Sequence, residues 1–284
     1  MRAIDVHVHG PTHDWLQCMG HYVPALEQQF HVHYEPKSDE QLAEDFRSAD
    51  VRAMMIAWDS ETSAHSKGVI TNEWVAGLTQ RFPDVFLPGW AVVDPWKGQA
   101  AVKELAHAIS ELGLKGAKFM PLLQNFYVND PVAYPLWDLC QSLGAPVLIH
   151  TGTTALGLGM PGGGGVKLKY GRPIPALDKI AADFPRLTIV AAHPAWPWED
   201  EQIALLLHKA NVYMDISGWR PRYIPDSIKR EMKGRLQDKV LFGSDYPSLM
   251  PGQCLDELEA EGLSADVAEK LFFRNAQRVL NIPA

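Results

Sequence analysis

The chain has 284 residues, a length that suits one large α/β domain or two small ones. Its composition, 46% hydrophobic and 21% charged, excludes a collagen, a coiled coil and an intrinsically disordered chain. The formal net charge of −8, with no basic run, argues against binding to nucleic acid or to an anionic membrane surface. No apolar run approaches the roughly 18 residues of a membrane span, and no apolar leader segment begins the chain. We therefore expect a cytoplasmic protein whose partner is a small molecule.

Eight short apolar segments alternate with segments of helical periodicity along the chain. The predicted strands are 3–7, 52–57, 85–93, 114–120, 146–150, 187–193, 211–216 and 240–245. The predicted helices are 39–50, which follows an N-cap at Ser38, then 99–112, 132–143, 176–184, 199–209, 224–236, 254–261 and 266–280. Alternation of this kind predicts parallel βαβ units, and eight units average about 35 residues each, as a (β/α)8 barrel requires. We predict the α/β class and a single TIM barrel over residues 1–284, with C-terminal helices.

Histidine or aspartate ends four of the predicted strands. His7 and His9 end the first strand and lie on one face of it, and His150, His193 and Asp245 end three later strands. In a (β/α)8 barrel the carboxyl ends of the strands form the active-site face. Neutral imidazoles with one carboxylate suit Zn²⁺ or a similar first-row divalent ion. A single histidine at a strand end is more often a hydrogen-bonding residue, but four such endings together favour a metal site.

These residues lie in motifs that resemble the amidohydrolase superfamily, and in particular the amidohydrolase-related (amidohydrolase 2) family that includes aminocarboxymuconate-semialdehyde decarboxylase. The motifs are, in chain order, DVHVH at 5–9, GAKFMP at 116–121, IHTG at 149–152, AHP at 192–194 and GSDYP at 243–247. The resemblance implies that His7, His9, His150 and Asp245 hold one divalent ion, with Zn²⁺ expected first and Mn²⁺ as the alternative. It further implies that His193 is a second catalytic residue and that the protein is a homodimer.

Two reactions are compatible with these residues. A metal lowers the pKa of its bound water to about 7, so Asp245 could accept the proton of that water and return it to a leaving group. His193 could polarise a carbonyl or stabilise an oxyanion. Asp245 could equally protonate the carbon that loses CO₂ in a decarboxylation. Decarboxylases of the family often carry Gly and Glu after the corresponding histidine, whereas Pro194 and Ala195 follow His193 here.

Four further residues are candidates for substrate binding. Lys118 has three interpretations: a cation that faces the substrate, a structural lysine, or a carboxylated ligand that bridges two metals. Arg220 suits a substrate carboxylate, because guanidinium binds carboxylate through two hydrogen bonds. Trp196 and Trp219 follow predicted strands and suit a planar substrate, with core packing as the alternative. The glycine-rich segment 151–165 directly follows His150 and is either a lid or a surface loop.

The main prediction is therefore a metal-dependent hydrolase that acts on a small carboxylated compound, aromatic or derived from ring cleavage. The bond cut would be an ester, a lactone, an amide or an activated C–C bond. The alternative is nonoxidative decarboxylation, or hydration, of an aromatic or unsaturated acid. A third possibility is a non-catalytic binding protein on the same barrel, and the complete candidate ligand set argues against it.

Overall fold

The computed structural model describes residues 1–63 and 68–282. Ten strands are present in this part of the chain. They are β1 (Ala3–Val8), β2 (Val51–Ile56), β3 (Trp58–Asp59), β4 (Val69–Ile70), β5 (Phe86–Ala91), β6 (Gly116–Phe119), β7 (Val147–His150), β8 (Ile189–Ala192), β9 (Val212–Asp215) and β10 (Val240–Leu241). Eight of them form one parallel sheet in the order β1-β2-β5-β6-β7-β8-β9-β10, and β3 pairs antiparallel with β4. All eight predicted strands are found, although several are shorter than predicted.

The first and last strands of this sheet meet. The Val6 amide donates to the Phe242 carbonyl at 3.1 Å, and the His9 amide donates to the Tyr246 carbonyl at 2.8 Å. The eight strands consequently form a nearly closed barrel, which confirms the predicted fold. All six residues of β1 are buried, as expected for a strand that is covered on both sides.

Helices lie between the strands. They are α1 (His13–Met19), α2 (Val23–Phe30), α3 (Asp39–Ser48), α4 (Asn72–Arg81), α5 (Gln99–Ser110), α6 (Pro121–Gln124), α7 (Tyr134–Leu143), α8 (Ala176–Asp183), α9 (Glu199–His208), α10 (Asp226–Met232), α11 (Pro251–Ala260), α12 (Ala265–Glu269) and α13 (Asn275–Val279). The predicted start of α3 is confirmed, because Ser38 and Gln41 form a reciprocal capping box. The predicted helix 266–280 is interrupted by a π-helical turn at Lys270–Arg274. The helices α1, α2, α4 and α6 and the β3–β4 pair were not predicted from the sequence.

Two apolar clusters fill the described part of the molecule. The larger one contains the barrel interior and the inner faces of the surrounding helices. The smaller one is formed by segments that follow the strands, and its members include Trp15, Tyr34, Trp58, Leu123 and Leu156. The second cluster therefore covers part of the carboxyl end of the barrel. Within residues 1–63 and 68–282, every helix is too short or too polar to cross a bilayer.

Candidate metal centre and active site

Three of the predicted metal ligands lie together at the carboxyl end of the barrel. One ligand atom from each of His7, His9 and Asp245 lies within 4.8 Å of the others. Oδ1 of Asp245 is 3.6 Å from Nε2 of each histidine. Asp245 adopts a left-handed backbone conformation, with φ of 66°, and its amide donates to the His7 carbonyl at 3.0 Å. This turn directs the carboxylate of one strand end towards the histidines of the neighbouring strand.

The hydrogen bonds of His7 leave the correct nitrogen free for a metal. Nδ1 of His7 lies 3.1 Å from Oδ2 of Asp215 and 2.9 Å from Oγ of Ser217. Because a carboxylate only accepts, Nδ1 carries the proton and Nε2 carries the lone pair. Burial lowers the pKa of His7 and of His9 to about 3, so both rings are neutral. Neutral imidazoles beside a carboxylate are the donor set that a first-row divalent ion requires.

Two ring nitrogens, Nδ1 of His150 and Nε2 of His193, face each other with no proton between them. Nδ1 of His193 donates to the Ser217 carbonyl at 2.9 Å, and Nε2 of His150 donates to the Thr153 carbonyl at 3.0 Å. Carbonyl oxygens only accept, so Nε2 of His193 and Nδ1 of His150 both carry lone pairs, and they lie 3.0 Å apart. Burial lowers the pKa of His193 to about 3 and that of His150 well below its usual value. A divalent cation beside these nitrogens would remove the repulsion, so the residues present fit a metal.

This arrangement bears on the two predicted roles. His150 is outside the set formed by His7, His9 and Asp245, but the lone pair on its Nδ1 suits the predicted ligand role. Nε2 of His193 is an acceptor in this tautomer. For His193 to polarise a carbonyl, Nε2 would first have to gain a proton.

Asp215 and Ser217 organise the site, and the sequence analysis did not identify them. Oδ1 of Asp215 accepts from the amides of His193 and Ser217, at 3.2 and 2.9 Å. Burial raises the pKa of the Asp215 carboxyl group, but His7, His193 and Lys118 together outweigh burial and hold that pKa below its usual range. Oγ of Ser217 is 2.9 Å from Nδ1 of both His7 and His193. Asp215 is the last residue of β9 and the last but one of the predicted strand 211–216, so the signal used for the other strand ends could have found it.

Asp5 supports the chain beneath the candidate ligands. Its Oδ1 accepts from the His7 amide at 3.1 Å and from the Ser244 amide at 3.0 Å, while Oδ2 is buried and has no hydrogen-bond partner. Burial raises the pKa of Asp5 to about 7. The carboxyl group thus connects β1 to the segment after β10, the two elements that supply His7 and Asp245.

Gly218 lies against two residues of the site and leaves no room for a side chain. Its φ is +74°, and a Cβ atom at this position would lie 3.0 Å from Nδ1 of His193 and 3.1 Å from Oδ2 of Asp245. Any L side chain would therefore be strained here and would press on both residues.

Lys118 lies inside the site. It is on β6, only 4% of its surface is exposed, and its Nζ is 3.3 Å from Nε2 of His7. Burial lowers its pKa to about 8, an effect that Asp215 and Asp245 partly oppose. This position is compatible with a cation that faces the substrate and with a carboxylated ligand.

The other predicted substrate contacts lie further out. Arg220 is engaged by Oε1 of Glu257, so its guanidinium is already paired. Trp196 is 47% exposed, and its ring centroid is 6.2 Å from that of Trp219. These two tryptophans pair with each other in the segments that follow β8 and β9.

The glycine-rich segment is held against the loop between α1 and α2. Oη of Tyr22 donates to the Gly164 carbonyl at 2.9 Å, and a Cβ atom on Gly164 would lie 2.7 Å from the Tyr22 ring. Gly164 has a φ of +59°, so both its conformation and the close approach of the ring require glycine.

A narrow pocket with an open mouth lies beside His9 and Lys118. Its exposed lining is almost entirely apolar. We call it the apolar pocket, and its apolar lining residues are Ile56, Ala57, Trp58, Val92, Met120 and Leu123. They come from the ends of β2, β5 and β6 and from the segments after them.

Comparisons with known proteins identify the family of the chain. The family model described as amidohydrolase (Amidohydro_2) matches residues 4–282. The 2-amino-3-carboxymuconate-6-semialdehyde decarboxylase of Dictyostelium discoideum is 27% identical over 100 residues. That match covers 35% of this chain and only 28% of the relative.

Solved structures show the same fold over the whole chain. An uncharacterised TIM-barrel protein from Bordetella bronchiseptica matches with a TM-score of 0.80 and 24% identity, over 99% of both chains. A dihydroxybenzoic acid decarboxylase from Polaromonas sp. JS666, with bound manganese and the inhibitor 2-nitroresorcinol, matches with a TM-score of 0.68 and 17% identity. This match covers 98% of this chain and 96% of the decarboxylase. The chain is a TIM barrel, and it belongs to the amidohydrolase family of enzymes.

Proposed function

We propose that the protein is a divalent-metal-dependent decarboxylase of a small aromatic acid. The observation that carries this proposal is the position of a buried cation, Lys118, in the lining of an apolar pocket beside His9, whose Nε2 lies 3.6 Å from Oδ1 of Asp245. The apolar character of the lining suits an aromatic ring, and the carboxylate of such a ring suits Lys118. Decarboxylases among the similar proteins support the same reaction, which was the alternative rather than the main prediction of the sequence analysis.

His7, His9, His150 and Asp245 would hold the metal. The Polaromonas relative binds manganese, and this set of donor atoms suits zinc. Both observations support the binding of one divalent ion, and elemental analysis identifies it. When bound, the ion supplies a Lewis acid that holds oxygen atoms of the substrate and withdraws negative charge.

The proton that replaces CO₂ comes from Asp245. Burial raises the pKa of the Asp245 carboxyl group to about 7 in the metal-free chain, so this group suits the exchange of a proton near neutral pH. Its O–H transfers the proton to the ring carbon that bears the carboxylate. The bond to the carboxylate carbon then breaks, its electron pair returns to the ring, and CO₂ leaves. Asp245 remains as a carboxylate, and its side chain, 22% exposed, regains a proton from solvent.

Lys118 and His193 act on the substrate's oxygen atoms. The Lys118 ammonium orients the carboxylate before the bond breaks. Nε2 of His193, which carries a lone pair, accepts a hydrogen bond from a ring hydroxyl and so increases the electron density of the ring. The apolar lining keeps water away from the ring.

Hydrolysis is the second candidate, because Asp245 and His193 can also accept the proton of an attacking water. One experiment separates the two reactions. The protein, loaded in turn with Mn²⁺ and with Zn²⁺, is incubated with hydroxybenzoic acids and with aromatic esters and lactones. We expect CO₂ and the corresponding phenol in equal amounts. Hydrolysis products without CO₂ would overturn the proposal in favour of the hydrolase.

A further inference from the structure

The apolar pocket limits the number of charged groups on the substrate, which the proposed reaction alone does not. We propose that the substrate is an aromatic acid with a single carboxylate and an apolar far end, and that Met120 and Leu123 impose this limit. This inference rests on the proposed decarboxylase function. It concerns the part of the ring opposite the reacting carboxylate, which no catalytic residue touches.

The polar and apolar ends of the pocket are distinct. His9 and Lys118 line the inner end, beside the candidate metal ligands. Trp58 lies against His9 in an edge-to-face contact, with ring centroids 6.2 Å apart. Met120 and Leu123 line the wall that follows β6. A ring whose carboxylate meets Lys118 is therefore surrounded by a lining to which these apolar side chains belong.

Gln124 lines the same pocket, but its amide is already occupied. Its Nε2 donates to the carbonyls of Asp59 and Val93, both at 3.0 Å. Its Oε1 accepts from the Met120 amide at 2.9 Å. Both N–H groups of the side chain are used, so Gln124 supports the wall and offers no donor to a ligand.

Asp59, the acidic residue of the lining, is also paired. Its Oδ2 accepts from Nζ of Lys97 at 2.6 Å and from the Asp94 amide at 3.1 Å. Nζ of Lys97 also lies 2.9 Å from Oε2 of Glu61. Lys97 thus neutralises acidic groups of the protein and has no charge to spare for a second carboxylate.

Lys118 is the single lysine or arginine among the described residues that line the pocket. Arg220, which the sequence suggested for a carboxylate, is engaged by Glu257. A second carboxylate at the far end would lose its hydration and gain no cation. Burial of an unpaired charge is costly, and exclusion by such a cost is a common source of specificity.

Three probes of matched shape test the proposal on the Mn²⁺-loaded protein. They are 2-hydroxybenzoate, 4-methyl-2-hydroxybenzoate and 2-hydroxyterephthalate, which carries a carboxylate where the second probe carries a methyl group. Binding is measured by titration calorimetry, and CO₂ release is measured separately. We expect the dicarboxylate to bind at least about 100-fold more weakly than the methyl compound, since an unpaired charge would be buried.

Variants at Met120 test the assignment to this wall. Met120→Arg places a cation at the far end and should reduce the difference between the last two probes to less than about tenfold. Met120→Leu keeps the wall apolar and should preserve the wild-type difference. Leu143→Arg adds the same charge at an exposed position on α7 and serves as the control for net charge.

The outcomes are distinguishable. Equal binding of the methyl compound and the dicarboxylate by the wild-type protein overturns the inference, even if CO₂ is released and the proposed function stands. Weak binding of the dicarboxylate without CO₂ release from any probe supports the inference about the pocket and overturns the decarboxylase. Binding of no probe overturns both. The wild-type comparison decides the inference even if Met120→Arg fails to fold.

Discussion

The carboxyl end of the barrel is divided into two arcs of opposite character. One arc follows the neighbouring strands β8, β9, β10 and β1, and contains the polar cluster formed by His7, His193, Asp215, Ser217 and Asp245. The other follows β2, β5 and β6 and contains the apolar pocket. Hydrogen bonds fix the side chains of the first arc, whereas the second presents apolar surface and polar groups that are already paired.

The residues proposed to carry out the reaction and those proposed to select the substrate therefore follow different strands of the barrel. Substitutions in the polar cluster should change metal content or kcat, and substitutions in the apolar pocket should change binding of the substrate. His9 and Lys118 lie at the boundary between the two arcs, because both line the pocket. Nε2 of His9 is also 3.6 Å from Oδ1 of Asp245, and Nζ of Lys118 is 3.3 Å from Nε2 of His7. The following predictions test the polar arc, in order of decreasing effect.

The largest effect should come from removing a candidate metal ligand. His150→Ala removes the lone pair on Nδ1, so we expect loss of the metal and of all measurable activity. Elemental analysis should find about one divalent ion per chain in the wild-type protein and none in the variant. His107→Ala, at a histidine paired with Glu111 on α5, is the control and should keep the ion. Full metal content in His150→Ala would exclude this ligand role.

Asp245 and His193 should affect turnover more than metal content. Asp245→Asn keeps one oxygen ligand but removes the ionisable group, so kcat should fall by about 10²–10⁴-fold. His193→Asn should lower kcat by about 10²–10³-fold and leave the ion in place. Steady-state kinetics and elemental analysis of the same samples test both expectations. If His193→Asn loses the metal as completely as His150→Ala, His193 is a ligand rather than a catalytic group.

Ser217→Ala should have a smaller effect, because Asp215 and the Ser217 carbonyl still hold the two rings. We expect metal affinity or kcat to fall by about 10–100-fold, as for other groups that orient a metal ligand. Competition with a metal chelator measures the affinity. Ser248→Ala removes a hydroxyl that contacts Tyr34 outside the polar cluster and should have little effect. Equal affinities in both variants would show that the Ser217 hydroxyl does not orient His7.

Substitution of Asp5 should change the pH dependence of the free energy of unfolding rather than kcat. Burial raises the pKa of its carboxyl group from 3.8 to about 7, so the stability it contributes is complete below pH 4 and is lost as the pH rises to 7. In the metal-free protein, Asp5→Asn should avoid this loss and gain up to roughly 4 kcal/mol relative to wild type between pH 4 and 8. Denaturant unfolding at several pH values tests this, and parallel curves for the two proteins would contradict it.

The sequence was sufficient for the fold and for the polar residues at the strand ends. Alternation of apolar strands and periodic helices identified all eight barrel strands, because each pattern records burial along a single element. Of the helices in the first two crossovers, only α3 was predicted. The helices α1 and α2 were missed, since they are short and pack against the glycine-rich segment rather than along the barrel alone.

Part of the candidate site could likewise be predicted from the sequence, and part could not. A strand that ends in histidine or aspartate is visible in the sequence, and this identified His7, His9, His150, His193 and Asp245. The sequence does not show which nitrogen of each ring carries a proton. That depends on Asp215, Ser217 and the Thr153 carbonyl, which come from other elements.

Partners of the charged residues were also set by tertiary structure alone. Arg220 was a reasonable candidate for a carboxylate, but a contact across 37 positions of the chain pairs it with Glu257. Gln124 and Asp59 line the pocket and yet are occupied by neighbours on other segments. Residue types and their order thus determined the barrel and its candidate ligands. Only the folded chain decided which polar groups remain available to a substrate, because availability depends on neighbours that are distant in sequence.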